Sequence, residues 1–85
     1  MEKRVALIGI VVENFDSVES LNAILHQHSD IIIGRFGIPY KERKISIMSI
    51  AVDATNDEIS TLSGKIGALS GVSSKTIYAK LSEDK

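Results

Sequence analysis

Two apolar runs, each leading into an amphipathic stripe, constrain this chain more than any other feature. From Val5 to Val12 no polar side chain intervenes and β-branched residues dominate. A central strand buried on both faces reads this way. After the polar turn Glu13–Ser17, the residues Val18, Leu21, Leu25 and His28 fall on one helical stripe, with Ile24 beside them. Asp16, with Glu19 three residues on, has the spelling of a capping box for that helix, and Ser29-Asp30 ends it. The same succession recurs later. Lys44 to Asp53 reads as a strand with Ile45 and Ile47 on one face and Met48, Ile50 and Val52 on the other. Thr55 and Glu58 then form a second capping box, and Ile59, Leu62, Ile66 and Leu69 a second stripe. Gly71 is placed to terminate it.

Each half closes with a further strand. The first begins at Ile31-Ile32-Ile33 and continues to Ile38, with Pro39–Arg43 as a polar turn or projecting hairpin tip. The second is Val72–Leu81, with Ile77, Ala79 and Leu81 on one side and Ser74, Thr76, Tyr78 and Lys80 on the other. Ser82–Lys85 reads as a polar tail. The order βαββαβ predicts an α+β ferredoxin-like sandwich: a four-stranded antiparallel-type sheet with two helices on one face. The first and third strands should be central and parallel, and the crossovers right-handed. Residues 1–85 are expected to form a single domain, since a second core would need roughly 50 more residues.

Composition removes several function classes. Lys+Arg number 10 against 11 Asp+Glu, so the formal net charge of -1 offers no excess for general polyanion binding. Cys is absent, which excludes disulfides, thiolate metal sites and Cys nucleophiles. The Val5–Val12 run is too short for the ~18–20 apolar residues of a membrane span. It is followed by Glu13-Asn14-Phe15-Asp16 rather than a small-residue cleavage site. The expectation is a cytoplasmic protein with no membrane contact and no direct contact with nucleic acid.

Few constellations carry chemistry. His26 and His28 lie two positions apart, about 200° around a helix, so they do not share one metal ion there. The reading that needs least is a helix C-terminus where His complements the dipole. Gly64-Lys65-Ile66-Gly67 spells the GxxG of KH domains, yet an apolar stripe runs through it. Ser60, Gly64, Gly67 and Gly71 instead line one helical edge that would admit a close backbone neighbour. The Asn14-Phe15-Asp16 turn precedes a helix and its amide donors, and so is a candidate ligand position. Acylphosphatase, which has this fold, carries a phosphate-binding Arg in that turn; none stands here. Arg35, Lys41, Arg43 and Lys44 form the one cationic cluster, opposed by Glu42. It serves either as a solvated hairpin that blunts a sheet edge or as an anion or partner contact.

The central strands are apolar on both faces, and two helices cover only one. The uncovered face predicts self-association, as a homodimer or homotetramer with Ile45, Ile47 and Tyr78 at the interface. A partial screen of that face by Tyr78, Lys80 and the hairpin is the alternative.

The stretch Gly34-Arg35-Phe36-Gly37-Ile38-Pro39-Tyr40-Lys41-Glu42-Arg43, followed by a strand and Asn56-Asp57-Glu58-Ile59, resembles the family of iron-only hydrogenase system regulators. The likeness extends to Arg4-Val5-Ala6 and Gly64-Lys65-Ile66-Gly67, with Phe36 and Lys41 as mild departures from the family's hairpin. That family is similar to ACT domains and to the C-terminal domain of the nickel-responsive repressor. The resemblance implies an ACT-like regulatory domain that binds a small effector or a protein partner between subunits. Asn14, Phe15, Asp16 and Arg35 would bind the ligand. Arg35, Tyr40 and Arg43 would supply anion or partner contacts. No metal or cofactor is implied: the nickel domain's ligand set includes a Cys that this chain lacks. The ACT turn favours a Gly before the first helix, and Asn14–Val18 has none. A transcriptional or maturation role would require a DNA-binding or hydrogenase-maturation partner, because no DNA-binding segment is evident. The competing expectations are a structural interaction module without a ligand, and a small ferredoxin-like enzyme with a closed pocket around His28 or Asp53.

Overall fold

A computed structural model of the chain describes residues 2–81; the polar tail at 82–85 lies outside the described residues. Its elements are β1 (Lys3–Val12), α1 (Val18–Gln27), β2 (Ile32–Tyr40), β3 (Ile45–Thr55), α2 (Asn56–Gly67) and β4 (Val72–Tyr78). The sheet order is β2-β3-β1-β4, which is the ferredoxin-like arrangement. β1 and β3 are central, as their apolar runs require. They are antiparallel, however, from Lys3 opposite Thr55 to Val12 opposite Ser46. Apolar content dictates which strands are buried but not their relative direction. Here direction follows from each split βαβ unit leaving one strand's width between its own strands.

The core sits between the sheet and the two helices. Ala6, Ile8, Ile10 and Val12 of β1 and Met48, Ile50, Val52 and Ala54 of β3 are buried against Leu21 and Leu25 of α1 and Ile59, Leu62 and Ile66 of α2. Each fully buried Leu or Ile side chain stabilises the fold by about 1.5–3 kcal/mol relative to leaving it in water. Leu69, the last member of the second stripe, falls beyond α2 but still packs on this core.

Local chemistry explains the element ends. Thr55 Oγ1 accepts from the Glu58 N–H at 3.2 Å, and Glu58 Oε1 accepts from the Thr55 N–H at 2.9 Å, so the second capping box forms as read. The first does not. Asn14, rather than Asp16, is the capping residue: its Oδ1 accepts from the Asp16 N–H at 3.0 Å and caps a 3-10 turn, Phe15–Ser17, inserted ahead of α1. The second strand extends through Pro39 and Tyr40, and only Lys41–Arg43 remain as a 3-10 turn. Proline is tolerated there because β2 is an edge strand. Ile31 belongs to a 3-10 turn before β2, and β4 stops at Tyr78 rather than Leu81.

The glycine edge of α2 packs at Gly67, where a methyl group would touch Ser74 Oγ at 3.5 Å, but not at Gly64. The helix runs continuously through Gly64-Lys65-Ile66-Gly67 with Ile66 buried, so no KH-type loop exists. A methyl group on Gly64 would meet nothing within 4 Å. Gly71 is different: it has φ +68, and a Cβ there would collide with the backbone of Asn14. Its carbonyl accepts from the Glu13 N–H at 2.6 Å, and Ser17 Oγ donates to the Ser70 carbonyl at 2.7 Å. The two turns at this end of the sheet are thereby locked together.

Candidate functional site

Several surface features remain after the fold is accounted for. The first is the sheet face opposite the helices. Because side chains alternate along a strand, the odd-numbered residues of β1 and β3 lie there, with their partners on the edge strands. The register places Ile38 beside Ile47, Tyr40 beside Ile45, and Ile77 beside Leu7. Leu7 is 47% exposed, Phe36 60%, Ile38 45%, Tyr40 42%, Ile47 41% and Ile77 65%. At about 200 Å² per large side chain, these six alone present roughly 600 Å² of apolar surface. That reaches the upper end of the largest apolar patch on ordinary monomers, about 300–600 Å².

Tyr78 does not belong to this face. It pairs with Ala6, points toward the helices, donates through its hydroxyl to Asn56 Oδ1 at 2.7 Å, and lies 4.1 Å from the Arg4 guanidinium carbon above its ring. The residue of β4 that joins Ile45 and Ile47 on the open face is Ile77, and Tyr78 provides no screen. The hydroxyl side of β4 faces inward because α2 meets it with Ser63, which accepts from Thr76 Oγ1 through its hydroxyl at 3.3 Å.

The second surface is a cleft of about 520 Å³ where the β1–α1 turn meets the β2–β3 hairpin. It is lined by Glu13, Asn14, Phe15, Pro39, Tyr40, Lys41, Lys44 and Ile45. Asn14 and Phe15, candidate ligand residues, are therefore brought beside Tyr40, which the sequence reading assigns to anion or partner contacts. Asp16, Arg35 and Arg43 are not among the lining residues. Arg35 pairs with Ile50 on the helix side of the sheet, and its guanidinium donates to Asn22 Oδ1 of α1 at 3.1 Å. A one-residue bulge between Ile32 and Gly34 sets that alternation. Lys41 and Lys44 supply the positive charge in its place. Asn14 Oδ1 holds the Asp16 N–H and one Nδ2–H donates to Ser70 Oγ at 3.3 Å, which leaves its second amide N–H as a donor.

A third depression, about 360 Å³, lies beside His28, Asp30, Asp57 and Glu58, and is open to solvent. His28 Nε2 lies 3.3 Å from Lys65 Nζ, while Asp53 is on the opposite face of the sheet across from Val5. The closed pocket expected of an enzyme at these residues is not formed. Glu58 has its carboxyl held below the ordinary value by the Thr55 backbone N–H, then by the Thr55 hydroxyl. That carboxylate is committed to the helix cap. Among the described residues no group of three or more His, Cys, Asp or Glu side chains could hold a metal ion, and no helix is long and apolar enough to cross a membrane.

Comparison with known proteins now bears on these surfaces. No curated protein sequence matches the chain. The solved structure of divalent ion tolerance protein CutA1 from Ehrlichia chaffeensis overlays with a TM-score of 0.51 at 19% identity, covering 99% of this chain and 89% of that one. A protein of unknown function from Galdieria sulphuraria gives 0.64 at 14% identity, over 98% of this chain and 49% of that one. At such identities the likeness concerns the fold alone. The uncharacterized protein TM1266 from Thermotoga maritima is 38% identical, with a TM-score of 0.89 over 93% of this chain and all of that one (100%). The model of the TM1266-like family, described as "Iron-only hydrogenase system regulator, putative", matches residues 4–76. With the shared fold, that match over most of its length means the chain belongs to the TM1266-like, iron-only hydrogenase system regulator family.

Proposed function

We propose that this chain is a small, non-enzymatic regulatory module of the iron-only hydrogenase system, ACT-like in its mode of action and working in the cytoplasm. It acts as a homo-oligomer and takes a small effector or a protein partner at the hairpin end. The observation that carries the reading is the bare apolar face of Leu7, Phe36, Ile38, Tyr40, Ile47 and Ile77. Such a face is a poor surface for a lone subunit, and its roughly 600 Å² with a polar rim approaches the ~800 Å² per partner of a standard interface. A second copy supplies an identical patch, so a two-fold pairing of sheet faces buries both at once. A module of this kind transmits occupancy through the geometry of its assembly. The cleft at the hairpin lies at the end of the same face, through Tyr40 and Ile45, and is placed to sense that geometry.

The test is light scattering on size-fractionated wild type and an Ile47→Asp variant, with circular dichroism as the folding control. The wild type should elute as a dimer or tetramer. Ile47→Asp, which puts a charge on the outer face without touching the core, should be a folded monomer. A wild type that is monomeric at tens of micromolar removes the basis for regulation by assembly.

A further inference from the structure

The hairpin cleft has a chemistry of its own, and its form indicates what it takes. We propose that it is a binding site for an organic monocarboxylate with a flat apolar body. The proposal rests on the regulatory reading above and names the class of effector. All of its lining residues come from one chain, and two of them, Tyr40 and Ile45, also lie on the sheet face proposed above to pair with a second copy.

Three observations carry it. First, its walls are apolar and aromatic: Phe15 from the β1–α1 turn and Pro39, Tyr40 and Ile45 from the hairpin. Phe15 is 55% exposed and Tyr40 42%, so two aromatic rings face water at the mouth of a 520 Å³ recess. Ligand sites combine such walls with a few placed polar groups, in about this range of volume. Second, the polar groups have one dominant sign. Lys41 and Lys44 border the cleft against the single carboxylate of Glu13, leaving one net positive charge. Asn14 keeps one amide N–H beyond its bonds to Asp16 and Ser70, and the Tyr40 hydroxyl is a second neutral donor on the lining, so Lys41 and Lys44 are the cationic donors the cleft offers. One net charge matches a monoanion better than a phosphate dianion, which Glu13 would oppose.

Third, Lys44 is held where its backbone is least comfortable. It has φ 55 and ψ 44, the one non-glycine residue with positive φ among those described. Glycine takes this conformation without strain, whereas a side-chain residue pays roughly 1 kcal/mol or more. The position needs the left-handed turn, because the Lys44 N–H closes the 3-10 turn onto the Lys41 carbonyl at 3.1 Å. A long cationic side chain stands at a position whose backbone favours glycine, and Lys44 is one of the residues that line the cleft.

The test is a panel of three flat aromatic carboxylates: phenylacetate, indole-3-acetate and benzoate. Phenylacetamide and inorganic phosphate serve as controls. Binding is followed by thermal melting and by amide chemical shifts in 15N-labelled protein. At ten times its Kd, at least one carboxylate should raise Tm by about 5 °C or more. It should move the amides of Phe15, Tyr40, Lys44 and Ile45, while phenylacetamide and phosphate do neither. Lys44→Gly should melt no lower than the wild type without ligand, because glycine relieves the left-handed backbone, yet bind at least tenfold more weakly; Lys44→Arg should retain binding. If the amide binds as well as the acid, or phosphate as well as the carboxylates, the assignment is wrong. It is equally wrong if none of the panel binds. Sedimentation of the same samples separates this from the assembly reading. A dimer that ignores the panel leaves assembly standing and the cleft proposal refuted, and a monomer that binds a carboxylate does the reverse.

Discussion

Replacing Gly71 and Gly64 by alanine should move stability in opposite directions, and the structure gives the sizes. At Gly71 the alanine must hold φ near +68, which costs an L-residue about 1–2 kcal/mol. Its Cβ would also lie 2.9 Å from the Asn14 backbone nitrogen and in collision with the Asn14 Cβ. No side-chain rotation relieves contact with a backbone atom, so the β1–α1 turn has to shift. The shift loosens the Gly71 carbonyl's bond from the Glu13 N–H, now 2.6 Å, for a further ~1 kcal/mol. The total is about 2–4 kcal/mol of destabilisation, or a fall in Tm of roughly 10–25 °C for a domain of this size. At Gly64, inside α2 and facing open space, alanine should stabilise by about 1 kcal/mol through helix propensity alone. Urea unfolding at one protein concentration measures both, since assembly makes stability concentration-dependent. A Gly71→Ala variant within about 0.5 kcal/mol of wild type would refute the locked-turn argument. A destabilised Gly64→Ala would mean that this edge of α2 is packed against something after all.

Thr55→Ala should cost about 1 kcal/mol by removing the cap of α2, read by urea unfolding at neutral pH. Glu58 has a depressed pKa in the folded state, so its contribution is present above the unfolded value of 4.5 and is lost as pH falls through the lower folded value. Stability measured between pH 6 and pH 3 should therefore fall less steeply in Glu58→Gln, which cannot titrate, than in wild type, and equal slopes would contradict the cap assignment. Arg35→Ala breaks a single exposed bond to Asn22, so it should change stability by less than about 0.5 kcal/mol and leave carboxylate binding at the hairpin cleft unchanged. Weakened binding in that variant would return Arg35 to the site.

Much of this was legible because the relevant physics is local. Strand burial followed from continuous apolar runs, helix faces from spacing, and the α2 start from Thr55 and Glu58 three residues apart. What failed depends on information that no short window holds. The capping residue of the first turn is Asn14 because Ser70 and Gly71, far along the chain, hold that turn in place. The side occupied by Arg35 depends on the bulge at Ile33, which flips every later side chain of β2 relative to a regular count. Tyr78 was expected on the outside because its side of β4 is polar. It faces inward because α2 offers Asn56 and Ser63 to that side, leaving Ile77 in the open. Lys44 reads in the sequence as the first residue of the third strand and as part of a charge cluster; its left-handed backbone, which leaves β3 to begin at Ile45, has no signature in the residue itself.

Sedimentation equilibrium of the wild-type protein across a dilution series from about 50 μM to 0.1 μM tests the central claim most directly. The account predicts a reversible mass-action transition or a persistent dimer or tetramer, with the Leu7–Phe36–Ile47–Ile77 face as the contact. A single folded subunit at every concentration would contradict it.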